Sequence, residues 1–229
     1  MASKLQRRSG VAVVNVAKLL DWVPDVIYQV GIGHRHKEVF VMVEAWPHVD
    51  LFGCEPHPRI VACLKDYPGK VFQTAIGGQV GKGKLFDKER HGDGSSLYQF
   101  DETEKGGRDY KTIDVDVTTL DEFFVRRGKH VLLWLDCEGS EWEALEGGEG
   151  FVEGVEVINI EMTANPPSKY WPSTVEIHCW LMDHGFLRQT THTTRSHSGQ
   201  YDAIYVRRHL FRPEICSCPC QIEAYRNSE

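Results

Sequence analysis

Short apolar runs alternate with segments of helical pattern along this chain, and that alternation limits the possible folds more than any other feature. The apolar runs lie at residues 25–30, 49–55, 70–76, 130–136 and 154–161, and two strand-like runs follow at 185–192 and 200–208. Near-continuous apolar runs are typical of buried parallel strands. Intervening helices cover both faces of such a sheet. The sequence therefore predicts an α/β domain with a mainly parallel sheet.

Helix starts are indicated by Ser or Thr placed three residues before Glu, which is the spacing of a capping box. This spacing occurs at 119–122, 140–143 and 173–176. Pro58 suits the first turn of another helix, which we expect to stop at Pro68 and Gly69.

The α/β pattern spans residues 25–208, which we interpret as one domain. Residues 1–24 are basic and then amphipathic, so we expect an N-terminal helical extension rather than a signal peptide. The polar insertion at 78–117 is expected to act as a lid or an acceptor loop. The tail at 209–229 lacks a periodic apolar pattern, so we expect it to be irregular and dispensable for the fold.

Charge and cysteine content argue against several classes of protein. The chain has 33 acidic and 26 basic residues, a net charge of −7, and no dense cluster of Lys and Arg, which disfavours nucleic-acid binding. It has no apolar run of the roughly 20 residues that a membrane helix needs. Seven scattered cysteines indicate a reducing compartment, so we predict a cytoplasmic protein.

A bound metal is not predicted. Cys216, Cys218 and Cys220 follow a Cys-x-Cys-x-Cys spacing, whereas structural zinc sites favour Cys-x-x-Cys pairs. The histidines do not show a ligand spacing such as His-x-x-x-His. An oxidisable tail or a partner contact remains open for the three cysteines.

A glycine turn follows the first predicted strand. Gly31 and Gly33 lie where ligands bind an open α/β sheet, beyond the carboxyl end of the strand. Glu55 ends the second strand and can accept hydrogen bonds from a ribose diol. The third glycine of a dinucleotide fingerprint is replaced by His36, which disfavours NAD. The pair indicates a nucleoside site, with an ordinary tight turn as the alternative.

Several stretches resemble the FkbM-type methyltransferases. They are IYQVGIG, LFGCEPHPRIVACL, TTLDEFF followed by VLLWLDCEGSEWEALEGG, VINIEM and DAIYVR, in the order that the family has them. The resemblance covers roughly residues 25–208. It implies a Rossmann-like class I fold, a seven-stranded sheet with one antiparallel strand near its end. It also implies S-adenosylmethionine as cofactor and methyl transfer to a hydroxyl of a sugar or other small molecule.

The same resemblance assigns cofactor-binding residues. Gly31 and Gly33 are expected under the methionine and ribose, with Glu55 on the ribose hydroxyls. Ala75 and Ile76 are expected to flank the adenine. The remaining cofactor contacts are expected at Gln29 and Asp136.

The sequence departs from the family pattern at four positions. Gln29 replaces a usual Asp, Gly33 a frequent Asn, Arg35 a frequent Gly, and Trp134 a common Lys. Gln29 accepts a hydrogen bond but carries no charge. A catalytically degenerate binding module with the same fold is therefore the alternative to an active enzyme.

Acidic residues are the candidate catalytic groups. Asp136 ends the fourth predicted strand, Glu138 lies two residues further on, and Glu161 ends the fifth strand at the same edge. Carboxylates gathered in one cleft raise one another's pKa, and a base assists a hydroxyl acceptor. His91, near the serine pair at 95–96, is a further candidate base.

Other interpretations of the acids and aromatics stay open. Glu138 and Glu141 can simply favour the N-terminus of a helix electrostatically. Tyr98, Tyr170 and Trp171 form either an aromatic wall for a sugar ring or ordinary packing.

Overall fold

The protein is described from a computed structural model over residues 2–34, 36–87, 94–99, 110–125, 128–164, 171–195, 199–216 and 218–226. The helices are α1 (Ala2–Leu19), α2 (Lys37–Ala45), α3 (Pro58–Cys63), α4 (Leu120–Phe123), α5 (Glu141–Glu146), α6 (Glu149–Val152), α7 (Thr174–Asp183) and α8 (Pro219–Arg226). The strands are β1 (Val26–Val30), β2 (Asp50–Cys54), β3 (Lys70–Phe72), β4 (Ala75–Ile76), β5 (Gly81–Asp87), β6 (Lys111–Thr118), β7 (Val131–Leu135), β8 (Val157–Thr163), β9 (Phe186–Arg195) and β10 (Gln200–Arg207). Short 3-10 turns lie at Arg208–Leu210 and Pro213–Ile215.

The main sheet has seven strands in the order β3-β2-β1-β7-β8-β10-β9. Its first five strands pair in parallel, and β10 runs antiparallel to both β8 and β9. All five residues of β1 and of β7 are buried, because both strands lie inside the sheet with helices on each face. This arrangement confirms the predicted mainly parallel sheet with one antiparallel strand near its end.

Helices cover both faces of the sheet. One apolar cluster joins the sheet to α4, α5, α6 and α7, and another joins it to α1, α2, α3 and α8. Helix α1 lies close to α2 at Gly10, where an added Cβ would lie 2.5 Å from the carbonyl oxygen of Glu38. Among the described residues, no helix combines the length and apolar character that crossing a membrane requires.

A second sheet of three strands, β4-β6-β5, corrects the expectation of a long polar loop at 78–117. Strands β5 and β6 pair antiparallel, and Leu85, Val115 and Ala75 form a small apolar cluster between them and β4. Both strands were missed because they are largely polar: β5 has only Leu85 and Phe86 as large apolar residues, and in β6 only alternate residues are apolar. The single strand predicted at 70–76 is likewise wrong, since it divides between the two sheets.

The tail also differs from expectation. Instead of an irregular segment, residues after Arg208 form two 3-10 turns and α8. Phe211 is 1% exposed and packs in the cluster beneath α1. The Gln221 side chain accepts a hydrogen bond from the Arg188 backbone N–H over 2.8 Å. The sequence concealed this packing because the buried residue of α8 is a glutamine, so no apolar period marks the helix.

Ending the chain at Arg208 is therefore expected to lower the melting temperature. Burial of a side chain such as Phe211 stabilises by about 1.5–3 kcal/mol. For a chain of this size, 1 kcal/mol corresponds to about 2–4 °C. We expect a loss of at least about 5 °C by circular dichroism. A chain ending at Arg226 keeps α8 and is the control, and equal melting of the two chains would show that the tail is dispensable.

Candidate active site

The site is built around the carboxyl ends of β1 and β7, which approach each other closely. The Asp136 N–H donates to the Val30 carbonyl over 2.9 Å, which extends the pairing of the two strands by one residue. Gly31 has a φ of +80°, and a Cβ there would lie 1.8 Å from the Asp136 carbonyl oxygen. Only glycine fits this position, because the contact is backbone against backbone and the φ is left-handed.

Glu55 shapes the rest of the glycine turn. Its carboxylate accepts hydrogen bonds from the backbone N–H of Gly33 over 3.0 Å and of His57 over 2.8 Å. The carboxylate is therefore fixed at the position where a ribose diol is expected. Its contact with a ribose diol stays a prediction.

Gln29 lies beneath the turn and is fully buried. Its amide donates to Glu38 over 3.3 Å, and its carbonyl oxygen accepts the Tyr67 hydroxyl over 2.9 Å. A neutral side chain suits this place, because an Asp would face the carboxylate of Glu38. Gln29 thus joins β1 to α2 and Tyr67, and its contact with a cofactor stays a prediction.

Ala75 and Ile76, the expected neighbours of the adenine, are 4% and 2% exposed. They form β4 and pair in parallel with Val117 and Thr118. Ile76 packs in the apolar cluster that joins the main sheet to α4, α5, α6 and α7, and Ala75 packs in the small cluster of the second sheet. Their role beside adenine stays a prediction.

The three predicted acidic residues converge. One carboxylate oxygen from each of Asp136, Glu138 and Glu161 lies within 4.8 Å of the others. The parallel register that pairs Leu135 with Ile160 brings Asp136 opposite Glu161. Glu138 reaches them because it has a φ of +52°, which turns the chain sharply after Asp136.

A neighbouring carboxylate holds this turn in shape. Both oxygens of Glu141 accept backbone N–H groups, from Cys137 over 2.8 Å and from Gly139 over 2.9 Å. The capping-box spacing predicts that the Ser140 side chain caps α5, and this prediction is wrong. The Ser140 hydroxyl instead donates to the Cys137 carbonyl over 3.3 Å. Glu141 is thus a positioning residue, close to the electrostatic role expected for it.

Two further side chains hold the turn from outside. The Ser96 hydroxyl donates to the Glu138 carbonyl over 2.6 Å, so the serine pair reaches the acidic site. The Trp171 ring packs on Gly139, where an added Cβ would lie 2.3 Å from the ring. The sequence offered Trp171 as an aromatic wall for a sugar or as packing, and Ser96 only as a neighbour of His91. Their contacts with the turn were not predicted, because the partners are distant in sequence. His91, Arg35 and Tyr170 lie outside the described residues.

Burial and mutual repulsion shift the acidity of the cluster. Burial raises the pKa of Asp136 well above its ordinary value, and Glu138 and Asp202 raise it further. Burial likewise raises the pKa of Glu161, with Asp136 adding to the effect. Burial raises the pKa of Glu141 to about 7, although the backbone donors act in the opposite direction. The cluster therefore holds protons near neutral pH that separate carboxylates would release.

Glu161→Gln is expected to gain stability relative to the wild type as the pH rises from about 5 to 8. The pKa of Glu161 is raised in the folded protein, so the folded state keeps a proton that the unfolded chain releases. Stability from that proton is fully present at low pH and is lost as the pH rises towards the folded pKa. The neutral side chain removes this dependence, which is at most about 1.4 kcal/mol per pH unit. Urea unfolding of both proteins across the pH range measures the difference.

Glu176→Gln is a control, because the pKa of Glu176 is lowered in the folded protein whereas that of Glu161 is raised. The Ser173 side chain and N–H lower the pKa of Glu176, so its stabilising effect is present at higher pH and lost as the pH falls. Its stability relative to the wild type should therefore fall as the pH rises through the acid range up to about 5, and should stay constant from about 5 to 8, where Glu176 is ionised in both the folded and the unfolded chain. A Glu161→Gln protein that follows the same direction would contradict the raised pKa of Glu161.

Solved structures of methyltransferases share the fold of this chain. The chain is similar to the magnesium protoporphyrin IX methyltransferase ChlM from Synechocystis PCC 6803 with bound SAM, at 11% identity, 89% coverage of this chain, 80% of that chain and a TM-score of 0.51. It is also similar to the plantazolicin methyltransferase BpumL in complex with a triazolic desmethylPZN analog and SAH, at 10% identity, 89% and 85% coverage and a TM-score of 0.50. At these identities the likeness shows the fold, which is the Rossmann-like class I methyltransferase fold. No curated protein sequence matched the chain.

A comparison with protein-family models identifies the family of the chain, which the solved structures do not. The model of the methyltransferase FkbM domain matches residues 25–188, which is more than half of the chain and includes the glycine turn, Glu55 and the acidic cluster. The cofactor is accordingly S-adenosylmethionine. The match confirms the resemblance drawn from the sequence motifs, and the chain belongs to the FkbM methyltransferase family.

Proposed function

We propose that this protein transfers a methyl group from S-adenosylmethionine to a hydroxyl of a sugar or other small molecule. The observation that supports this acceptor chemistry is the convergence of Asp136, Glu138 and Glu161 within 4.8 Å. Asp136 and Glu138 follow the end of β7, whereas Glu161 lies within β8, two residues before its end, and does not end the strand as expected. The bound cofactor supplies an electrophilic methyl group on a cationic sulfur. What the chain must add is positioning of the acceptor and a place for its proton.

Gly31, Gly33, Glu55 and Asp136 are the residues that would hold the cofactor. The Gly31 turn exposes backbone at the sheet edge, and Glu55 is a fixed acceptor for hydroxyl groups. A group of carboxylates near the turn also suits a cationic sulfonium electrostatically. These residues therefore fit S-adenosylmethionine better than a pyrophosphate cofactor.

A small pocket beside the acids suits an acceptor. It is lined by Glu161, Gly139, Thr163, Thr174 and the Trp171 ring, among other residues. The Trp171 indole N–H is buried without a hydrogen-bond partner within the described structure, so a polar acceptor can supply one. The pocket has room for about one water-sized group, so we propose that one hydroxyl of the acceptor, rather than a whole ring, enters it between Glu161 and the Trp171 indole N–H.

Asp136 and Glu138 are assigned the acceptor side. One orients the acceptor hydroxyl and the other takes or shares its proton as the methyl group moves. A carboxylate with a raised pKa is a stronger base than an ordinary one, which assists a weakly acidic hydroxyl. Glu161 is the next candidate base, together with His91.

The acceptor is tested with a panel of sugars, hydroxylated small molecules and amines, by the release of S-adenosylhomocysteine. We expect turnover with a hydroxylated compound, rising with pH as the cluster loses its protons. Turnover restricted to amines would overturn the hydroxyl assignment.

The free cysteines of the described chain also support a reducing compartment, so the cytoplasm is the proposed location.

Glu55→Ala is expected to weaken cofactor binding by about 1.5–3 kcal/mol, because a hydrogen bond to a charged group is lost. That is about 10- to 150-fold in the dissociation constant. Titration calorimetry measures it, with thermal melting to separate a misshapen turn from a lost contact. Folded wild-type protein that gives no heat with either S-adenosylmethionine or S-adenosylhomocysteine would instead favour the degenerate binding module.

A further inference from the structure

Two cysteine thiols lie in contact at the start of α8, away from the methyl-transfer site. The sulfur atoms of Cys218 and Cys220 are 2.7 Å apart. Cys218 is partly exposed and Cys220 is exposed, so reagents in solvent can reach both. Neither residue takes part in the acidic cluster or the glycine turn, and the methyltransferase chemistry leaves this pair without a role.

The surroundings of Cys218 favour its thiolate. The Arg188 guanidinium, on β9, donates to the Cys218 sulfur over 3.4 Å. Slight burial opposes ionisation, but hydrogen bonds from Cys220, Arg188 and the Gln221 N–H outweigh it and lower the pKa of Cys218 to about 7. The pKa of Cys220 is raised, chiefly by its hydrogen bond to Cys218. One thiol of the pair is thus a nucleophile at neutral pH, and the other retains its proton.

We propose that Cys218 and Cys220 form a thiol–disulfide exchange site whose substrate is a small-molecule or protein disulfide. The Cys218 thiolate attacks one sulfur of the external disulfide, forms a mixed disulfide and releases the first thiolate. Cys220 then loses its proton to solvent and attacks the Cys218 sulfur. The Cys218–Cys220 disulfide forms, the second external thiolate leaves, and two electrons have passed from the protein to the external disulfide.

Local geometry favours the second step. A disulfide bond is about 2.05 Å long, so the two sulfurs need to approach by only about 0.7 Å. Pro219 lies between them as the first residue of α8, where its missing N–H costs no helical hydrogen bond. The resolving thiol is therefore already placed next to the sulfur that it attacks.

The expected reactivity follows from the thiolate fraction. At pH 7 a thiol of pKa about 7 is about half ionised, whereas one of ordinary pKa near 9 is about 1% ionised. Lower basicity reduces the nucleophilicity of each thiolate by about 10-fold over this difference. Cys218 should react about five times faster than an ordinary exposed thiol, and closure onto Cys220 then makes the oxidation complete.

The test uses the reduced full-length protein and limiting oxidised glutathione at pH 7, with acid quenching, alkylation and peptide mass spectrometry. Cys63 and Cys179 are exposed free thiols of the same chain and serve as internal controls. We expect the Cys218–Cys220 disulfide to form about five times faster than glutathione attaches to either control thiol. In Cys220→Ser, we expect glutathione to stay attached to Cys218.

Arg188→Gln distinguishes activation of Cys218 from mere exposure. In the Cys220→Ser protein, glutathione attaches to Cys218 at a rate that rises with pH. Adding Arg188→Gln should raise the pH at which this rate reaches half of its maximum. Reaction of Cys63 or Cys179 as fast as Cys218 would overturn the proposal, as would an unchanged pH profile. So would zinc bound stoichiometrically to the purified protein and lost from Cys218→Ser. None of these readouts depends on methyl transfer, so the proposal can fail separately from the proposed function.

Discussion

Replacing Asp136 by Asn, or Glu138 by Gln, is expected to slow methyl transfer, by about 10²- to 10⁴-fold for the residue that acts as the general base and by less for the one that orients the acceptor. The two carboxylates lie with Glu161 in one cluster, in which burial and mutual repulsion raise the pKa of Asp136. Both replacements keep the size of the side chain and remove the charge. Cofactor affinity should fall far less than turnover, since the glycine turn and Glu55 are unchanged and Asn keeps a side-chain oxygen at position 136.

Single-turnover release of S-adenosylhomocysteine measures the chemical step, and calorimetry measures cofactor affinity on the same proteins. Glu146→Gln is the control, because it makes the same substitution at an exposed position of α5. We expect it to behave as the wild type. If both site variants instead turn over normally while the cofactor dissociates, the pair serves binding, and the base is Glu161 or His91.

Gly31→Ala is expected to be the most destabilising point change at the site. The added Cβ would lie 1.8 Å from the Asp136 carbonyl oxygen at a φ of +80°. Neither backbone can yield locally, because β1 and β7 are buried neighbours in the centre of the sheet. Strain of this kind, together with displaced strands, costs more than about 4 kcal/mol. Urea unfolding should show it, with loss of cofactor binding in any protein that still folds.

Gly81→Ala provides the comparison. Gly81 begins β5 in the second sheet, and an added Cβ there meets nothing within 4 Å. We expect its unfolding free energy to change by less than about 0.5 kcal/mol. Equal stability of Gly31→Ala and Gly81→Ala would contradict the close approach of β1 and β7 that defines the site.

The central strands and the acidic turn were predictable from sequence, whereas much of the periphery was not. Strands such as β1 and β7 are apolar except for Gln29, because both of their faces are covered, so their residue types identify them. Strands β5 and β6 have an exposed face and are mostly polar, so neither shows the continuous apolar run that identifies the central strands. Helix α8 packs through Gln221, whose burial depends on a hydrogen bond to β9 that no local pattern records.

The site shows the same division. Asp136, Glu138 and Glu161 were expected together because they follow neighbouring parallel strands, and the structure brings them together. The supports from Ser96 and Trp171 come from distant segments and were not predictable from spacing. The function of Gln29 was also hidden, since its partners Glu38 and Tyr67 meet it only in the folded chain.

The order of the main sheet has a consequence for synthesis of the protein. Strand β9 joins the sheet only through β10, which is inserted between β8 and β9 although it comes last along the chain. Until β10 has emerged from the ribosome, the backbone N–H and C=O groups at the free edge of β8 have no partner strand. Strand β9 then has no strand to pair with in the sheet. Exposed strand edges recruit other chains. A nascent or prematurely terminated product ending before residue 200 would therefore depend on chaperone protection, and the fold closes only when its last strand is available.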